Sequence, residues 1–478
     1  MTRFATPLEQ HDFSRYSRSE EIAEFLRCLV TEGSGVRVAT LGHSALGHPL
    51  LALNLASTRS AVLHPRALRV LMVGSQHGAS EAAGAEALLM LARAILLGDL
   101  APLREAIEFM LIPNANPDGR ELDSSKNANA ININRDFVLL SQAESVALDS
   151  VVANFAPDVI LDAHESAILK RKTLGREGYV TEFEAQFDVG NSPAIPAALR
   201  AYAEAELLPA LISAVSARGL PTQRYIREIS STTQPITNGG LSLRRFRNKA
   251  ALHGALSLLL ETPMEPQGDP HPTYRNIAIR TEKQLLCMRE FLQVIHARHL
   301  TVVSIIDVMR ATTHIEPLLL RSEYVLDTSH PEITIPLRRR DTAERIPITF
   351  RNHRVVATRH TIELPAAYIV TAHTAVVAAL LARHRYPFEV VSTAIRLRVK
   401  VRRFGRGRAE QDGFMLIDET ERERRVEPGA LRVALHPAGR LLPMLLDPRS
   451  SSGIFRYPSF ARLIEPSAEF FILEVARR

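Results

Sequence analysis

The stretch ALRVLMVGSQHGASEA, residues Ala67–Ala82, decides the fold of this chain. It opens with an apolar run from Leu68 to Val73, and it reaches His77 and Glu81 where an Ala-rich helical pattern begins. A nearly continuous apolar run is typical of a strand buried in an α/β sheet, and such sheets carry their sites at the carboxyl ends of strands. Residues four apart share one face of a helix, so His77 and Glu81 are candidates to bind one ion together.

A second apolar run ends in a histidine in the same way. Residues 157–165 read PDVILDAHE and bring His164 to a predicted strand end. Catalytic zinc usually has three protein ligands and one open position, so His164 is the third candidate beside the first pair. The only cysteines, Cys28 and Cys287, lie in helical apolar patterns. We expect two buried free thiols, and a cysteine-based metal site is excluded.

Three further motifs follow in order along the chain: Asn116-Pro117-Asp118-Gly119 after a short apolar strand, the pair Asn134-Arg135 in a polar loop, and Glu261 at the end of an apolar run. Together with the histidines, this ordered set resembles the zinc carboxypeptidase family, the metallopeptidases typified by pancreatic carboxypeptidases A and B, in a bacterial-type form with a C-terminal extension. The resemblance implies an α/β fold with three α/β/α layers around a mixed central sheet. It also implies one zinc ion per chain, with His77, Glu81 and His164 as ligands.

The resemblance assigns catalytic and binding roles to residues near the metal. Amide hydrolysis needs an activated water and a group that takes its proton, and the second task falls to Glu261, with Glu165 as the next carboxylate to consider. Because Glu261 ends an apolar run, burial should raise its pKa. Arg135, with Asn134 beside it, is assigned the terminal carboxylate of the substrate, which a planar guanidinium matches bidentately. Without the resemblance, each is an ordinary strand-end or surface residue.

The sequence departs from the family pattern at three positions. The first histidine and the glutamate are one residue further apart than usual, so Ser80 falls where the ligand is expected; a spacing of four still suits one metal, and we favour Glu81. Asn132 stands where the family often has an Asp that supports this histidine, and a neutral partner would hold the ring less strongly. The family's oxyanion-stabilising Arg would fall near Ser125, and Lys126 is the nearest cation that could replace it.

The substrate-binding Tyr of the family has no clear counterpart. Tyr225 and Tyr179 are both open as alternatives. The segment from residue 165 to residue 260, which should line the specificity pocket, has no motif that aligns it.

The pattern changes beyond Thr313, where short β-type runs alternate with turns. Residues 395–402 alternate apolar and basic side chains, which predicts an edge strand or a one-sided antiparallel strand. A chain of 478 residues exceeds the usual single domain. We therefore predict a zinc carboxypeptidase-like catalytic domain over residues 1–312 and a smaller β-rich C-terminal domain over residues 313–478, which contributes no residue to the site.

These features predict a zinc-dependent metallocarboxypeptidase-like hydrolase that cleaves a C-terminal peptide bond. Two alternatives stay open: a zinc amidase or deacylase acting on a small amide or a cell-wall peptide, and a non-catalytic binding protein on a decayed peptidase scaffold. The expected partner is a peptide or small amide with a free carboxylate. The net charge of +6 is concentrated in the Arg-rich C-terminal part. We expect no nucleic-acid or membrane partner, and because the first residues lack an apolar signal core we expect a cytoplasmic protein.

Overall fold

The computed structural model describes residues 4–59, 65–166, 174–264, 277–312, 317–407, 413–436 and 439–477. In these ranges the strands are β1 (Val36–His43), β2 (Pro49–Leu55), β3 (Leu68–Val73), β4 (Ile107–Ile112), β5 (Val159–Ser166), β6 (Tyr179–Thr181), β7 (Ala185–Val189), β8 (Thr222–Arg224), β9 (Leu256–Pro263), β10 (Leu318–Val325), β11 (Glu332–Arg339), β12 (Arg345–Arg351), β13 (Val355–Ile362), β14 (Ala367–Val370), β15 (Glu389–Val390), β16 (Ile395–Arg406), β17 (Phe414–Val426), β18 (Leu431–Ala434) and β19 (Ile472–Val475).

The α-helices in the same ranges are α1 (Pro7–Gln10), α2 (Ser19–Val30), α3 (Ala83–Leu97), α4 (Pro117–Glu121), α5 (Ala143–Phe155), α6 (Ala197–Tyr202), α7 (Leu208–Ala217), α8 (Phe246–Ala251), α9 (Ile277–Ala297), α10 (His299–Ala311), α11 (Thr374–Arg383), α12 (Leu441–Leu446) and α13 (Pro458–Ala461). Short 3-10 turns at Gly78–Glu81 and Ile133–Arg135 lie beside the candidate site.

Eight strands form one mixed sheet in the order β1-β2-β4-β3-β5-β9-β7-β8. Strands β4, β3, β5 and β9 run parallel to one another, whereas β2 and β7 join this block antiparallel. Side chains of β3 alternate between two cores: Val70 and Met72 pack with α2, α3, α7, α9 and α10, and Leu71 and Val73 pack with α5 and α8. The sheet is thus covered on both faces, and the predicted α/β/α layers around a mixed sheet are confirmed.

The parallel block determines where the site lies. Parallel strands present their carboxyl ends at one edge of a sheet. His77 follows β3 directly, and β5 and β9 pair in a register that places His164 opposite Glu261. Three neighbouring strands therefore bring residues from widely separated parts of the sequence to the same edge.

Beyond residue 317 the described chain is β-rich. It forms a β10-β13 pair, a β12-β11 pair that β6 of the preceding region extends, and a six-stranded sheet in the order β15-β18-β14-β19-β16-β17. The apolar–basic alternation belongs to β16, whose Val399 and Val401 are buried while Arg396 and Arg398 are exposed. The one-sided interpretation holds for Arg396 and Arg398 but not for Arg402, which is buried and paired with Glu419 and Glu474. The edge-strand alternative is wrong, because β17 pairs along the outer side of β16 and itself forms the edge.

The C-terminal region packs directly against the region that precedes it. Strand β6 pairs with β11, and Ile226 and Ile229 share a buried cluster with Ile335 and Leu337. The division between residues 312 and 313 stays a prediction, and residues 313–316 lie outside the described ranges.

Two smaller expectations concern the cysteines and the membrane. Cys287 is buried but Cys28 is exposed, so the expectation of two buried thiols is right only for Cys287. In the described part of the chain no single helix is both long enough and apolar enough to cross a membrane. Helices α9 and α10 reach the required length and apolar character only when they are taken together, and a bend of 74° separates them.

Candidate active site

The three predicted metal ligands converge at the carboxyl edge of the sheet. The Nδ1 atom of His164 lies 2.8 Å from Oε2 of Glu81, and Nδ1 of His77 contacts Oε1 of the same carboxylate. One donor atom from each residue lies within 4.8 Å of the others. Both imidazole rings therefore present the same nitrogen to one carboxylate. Burial opposes ionisation of Glu81, but the two imidazoles outweigh it and hold its pKa far below the usual range.

The longer spacing between His77 and Glu81 is accommodated by a tight turn. Residues 78–81 form one 3-10 turn, which directs Glu81 towards both rings. Gly78 has a φ of +52°, and a Cβ at this position would lie 2.5 Å from backbone atoms of Gly119 and Ser124. Glycine is required here on both counts, because a side chain would be strained and would collide with the backbone.

His164 is held from its other side by a buried polar network. Its Nε2 atom lies 3.1 Å from Oδ2 of Asp162 and 3.1 Å from Nδ2 of Asn134. Burial by itself lowers the pKa of His164, but Asp162 and Glu81 raise it well above its usual value. Gln76 donates to the other oxygen of Asp162, and Asn116 Nδ2 donates to the backbone oxygen of Gln76 at 3.2 Å. The Asn-Pro-Asp-Gly motif therefore supports the turn behind the site.

His77 has weaker support. Its Nε2 atom is buried and has no hydrogen-bond partner in the described structure. Oδ1 of Asn132 is likewise buried there and has no hydrogen-bond partner. Asn132 is the residue that stands where the family often has an Asp. A ring without a second hydrogen bond is less firmly oriented than one held at both nitrogens.

Glu261 lies on β9 opposite His164. Burial, with a further contribution from the negative charge of Glu81, raises the pKa of Glu261 to about 7, while His164 opposes the rise. The predicted direction of this shift is confirmed. Glu165, the other candidate base, accepts from Arg280 Nε and Nη2 at 2.7 Å each and from the backbone nitrogen of Ala83 at 2.9 Å. The negative charge of Glu165 is already paired with Arg280, and this favours Glu261 for proton transfer.

A cavity of about 270 Å³ opens over these groups. His77, Glu81 and Glu261 lie on its polar side, with Arg135 facing the same space. Its apolar wall is formed by Leu174, Val180, Ile226 and Ile229. The lining residues all come from positions up to 261, although Ile226 and Ile229 pack behind the wall against residues of the C-terminal region.

The remaining predicted residues differ in their placement. Asn134 is 5% exposed and does not line the cavity, because its Oδ1 accepts from the backbone nitrogen of Phe246 at 3.0 Å and its Nδ2 faces His164. Lys126 is exposed and is not among the cavity-lining residues. Tyr225 lines the cavity, whereas Tyr179 does not.

Sequence reasoning missed Arg245, which lines the cavity at the start of α8. The one available signal was the dense basic run LRRFRNK at residues 243–249. Burial and the neighbouring cations Arg247 and Arg135 lower the pKa of Arg245, while Tyr225 and Glu261 oppose this effect.

The residues present fit a zinc ion. Two imidazoles and one carboxylate are a common donor set of catalytic zinc, and the three donor groups face one another across less than 5 Å. The buried network on Nε2 of His164 also leaves Nδ1 as the nitrogen available for a metal.

Comparisons with known proteins point to the same class. Residues 22–154 match the family model for zinc carboxypeptidase. The chain is 26% identical over 275 residues to Carboxypeptidase 2 of Trichophyton rubrum, an alignment that covers 55% of this chain and 50% of that protein. The chain thus spans about half the length of the curated relatives that it matches. The predicted resemblance to the zinc carboxypeptidases is confirmed, and a carboxypeptidase-like hydrolase is the class to which the chain is similar.

Solved structures of metallo-carboxypeptidases are also similar. The protein from Burkholderia cenocepacia is 19% identical, with a TM-score of 0.44 and coverage of 58% of this chain and 70% of its own. The protein from Pseudomonas aeruginosa is 19% identical, with a TM-score of 0.45 and coverage of 60% and 70%.

Proposed function

We propose that this chain is a zinc-dependent carboxypeptidase that removes the last residue of a peptide. The observation that carries the proposal is the convergence of unlike groups on one cavity: a His-Glu-His metal set, a buried carboxylate with a raised pKa, and a guanidinium. Each group alone is common, but amide hydrolysis next to a terminal carboxylate requires all of them together.

When bound by His77, Glu81 and His164, a zinc ion supplies an activated water and polarises the scissile carbonyl. Glu261 accepts the proton of the attacking water and then delivers it to the leaving amine. A carboxyl group whose pKa is about 7 is suited to both transfers, because it is neither too acidic to hold the proton nor too basic to release it.

Arg135 fixes the direction in which a peptide enters. Its side chain lines the cavity, and within the described residues it forms no ion pair that would compete with a substrate. A carboxylate on this guanidinium places the preceding peptide bond towards the metal ligands. Asn134, by contrast, accepts a hydrogen bond from the backbone nitrogen of Phe246 and acts as a structural support in this proposal.

Peptides with free and amidated C-termini test this function. The zinc-loaded protein should release the last residue from the free-acid peptide and leave the amidated peptide intact. Equal cleavage of both would favour the amidase alternative, in which a small amide or a cell-wall peptide is the substrate. Zinc and peptide binding without any turnover would favour a non-catalytic binding protein.

A further inference from the structure

The cavity contains more positive charge than one terminal carboxylate requires. Arg135, Arg227 and Arg245 all line it, and within the described residues none of their guanidinium groups forms a hydrogen bond or an ion pair. Neighbouring arginines are paired: Arg247 lies 3.3 Å from Asp188, and Arg224 lies 3.0 Å from Glu204. The three lining arginines therefore differ from these two; Arg135 and Arg227 are exposed, and Arg245 is half-buried.

The backbone holds two of these cations close together. Asn134 accepts a hydrogen bond from the backbone nitrogen of Phe246 at 3.0 Å, which joins the residue before Arg135 to the residue after Arg245. Burial and the cations Arg244 and Arg227 lower the pKa of Arg135. Like charges in a partly buried site repel one another and attract an anion that can neutralise them.

The carboxylates of the cavity do not balance this charge. Glu81 contacts two imidazoles and Glu165 is bound by Arg280, so both are already matched. Glu228 lines the cavity and is exposed, as Arg227 is, so it can offset at most one of the three cations. Glu261 forms no ion pair with Arg245 within the described structure.

We propose that Arg245, assisted by Arg227, binds a second carboxylate of the substrate, so that the preferred substrates end in aspartate or glutamate. The proposal rests on the proposed function, in which Arg135 takes the terminal carboxylate. Arg245 and Arg135 line the same cavity of about 270 Å³, so one substrate residue that carries two carboxylates can contact both. A planar guanidinium is the side chain best matched to a second carboxylate in such a space.

Matched peptides that differ only in a last residue of Glu or Gln test the proposal. These side chains are nearly equal in size and differ in charge. The wild-type enzyme should prefer the Glu peptide by about tenfold or more in kcat/KM, the effect of one charge-assisted hydrogen bond. In Arg245→Gln the loss on the Glu peptide should exceed the loss on the Gln peptide by about the same factor, and Arg245→Lys should retain part of the preference.

Arg396→Gln is the matched control, because Arg396 is exposed on β16 far along the chain from the cavity residues. It should leave the preference unchanged. Absence of a Glu preference in the wild type would overturn the proposal. Equal losses on both peptides in Arg245→Gln would also overturn it, and would place Arg245 at the reacting carbonyl or in the scaffold.

Binding of free glutamate and free glutamine to the zinc-loaded protein gives a second measurement that needs no turnover. By calorimetry, glutamate should bind about tenfold more tightly than glutamine, and Arg245→Gln should remove the difference. Equal affinities would reject the second carboxylate site. A glutamate preference in a protein that cleaves no peptide would support the anion site and reject the proposed peptidase function, so the two failures are distinguishable.

Discussion

Replacing Glu261 by Gln separates the catalytic role of this residue from any metal-binding role. The amide has nearly the shape of the carboxyl group, so the packing of β9 against β5 should be preserved. Burial raises the pKa of Glu261 to about 7, which means that the site already disfavours the charged form. A neutral amide should therefore leave the thermal stability unchanged or slightly higher.

The kinetic effect should be large. Loss of a general base typically slows turnover by about 100- to 10,000-fold, or about 2.7–5.5 kcal/mol in activation free energy. The assay measures kcat/KM on a free-acid peptide and the zinc content of the same preparation. Zinc should stay bound, because the His-Glu-His set does not include Glu261.

Glu423→Gln on the exposed strand β17 is the matched control and should change neither quantity. Full activity in Glu261→Gln with zinc retained would refute the reasoning, because another group would then act as the base. Loss of zinc would refute it differently, by making Glu261 a metal ligand.

Three further predictions concern substrate binding, the cavity wall and acid stability. Arg135→Lys should lower kcat/KM on free-acid peptides by about 10- to 100-fold, as expected for the loss of a charged hydrogen bond, with a smaller effect on amidated analogues; equal losses would reject the anchoring role. Leu337→Ala should lower the free energy of unfolding by about 2–5 kcal/mol in urea denaturation, because Leu337 is fully buried behind the wall strand β6, whereas Leu416→Ala on β17 should have little effect. Arg15 lowers the pKa of Glu21 from 4.5 to about 2, with hydrogen bonds from Arg18 and His11 and against the effect of burial. The ionised Glu21 carboxylate should stabilise the fold fully above pH 4.5, and this stabilisation should be lost as the pH falls towards 2. The difference in free energy of unfolding between wild type and Glu21→Gln should therefore shrink over that range, and a difference independent of pH would contradict this.

The metal set could be predicted because its signals are local. Apolar runs locate the ends of β3 and β5, and the sequence distance between His77 and Glu81 is short enough for one turn to bring both to one point. The largely apolar run of β9 locates Glu261 at a strand end, but its role as the base came from the resemblance to the zinc carboxypeptidases. In each case burial of the strand is visible in the sequence itself.

The roles of Asn134, Lys126 and Arg245 depend on tertiary contacts that leave no local trace. The side chain of Asn134 accepts a hydrogen bond from the backbone nitrogen of Phe246, which lies more than a hundred residues further along the chain. Lys126 is close to the motif in sequence but is exposed, whereas Arg245 reaches the cavity because α8 begins beside Asn134. Distance along the chain was therefore a poor guide to which cation faces the substrate.

The cavity wall was also beyond sequence reasoning. Strand β6 has only three residues, Tyr179–Thr181, too few to show an alternating pattern. It is held by β11, from the region that we predicted to be separate from the site. That region contributes no cavity-lining residue within the described ranges, yet Ile335 and Leu337 pack behind Ile226 and Ile229.

The metal content of the purified protein tests the central claim most directly. Elemental analysis should find about one zinc per chain in the wild type and in two controls, Ser80→Ala and His43→Ala, and almost none in His164→Ala. His43 is exposed, and Ser80 is the alternative ligand suggested by the family spacing. Wild-type protein that binds no zinc when supplied with one equivalent, or a His164→Ala variant that keeps its zinc, would contradict the account.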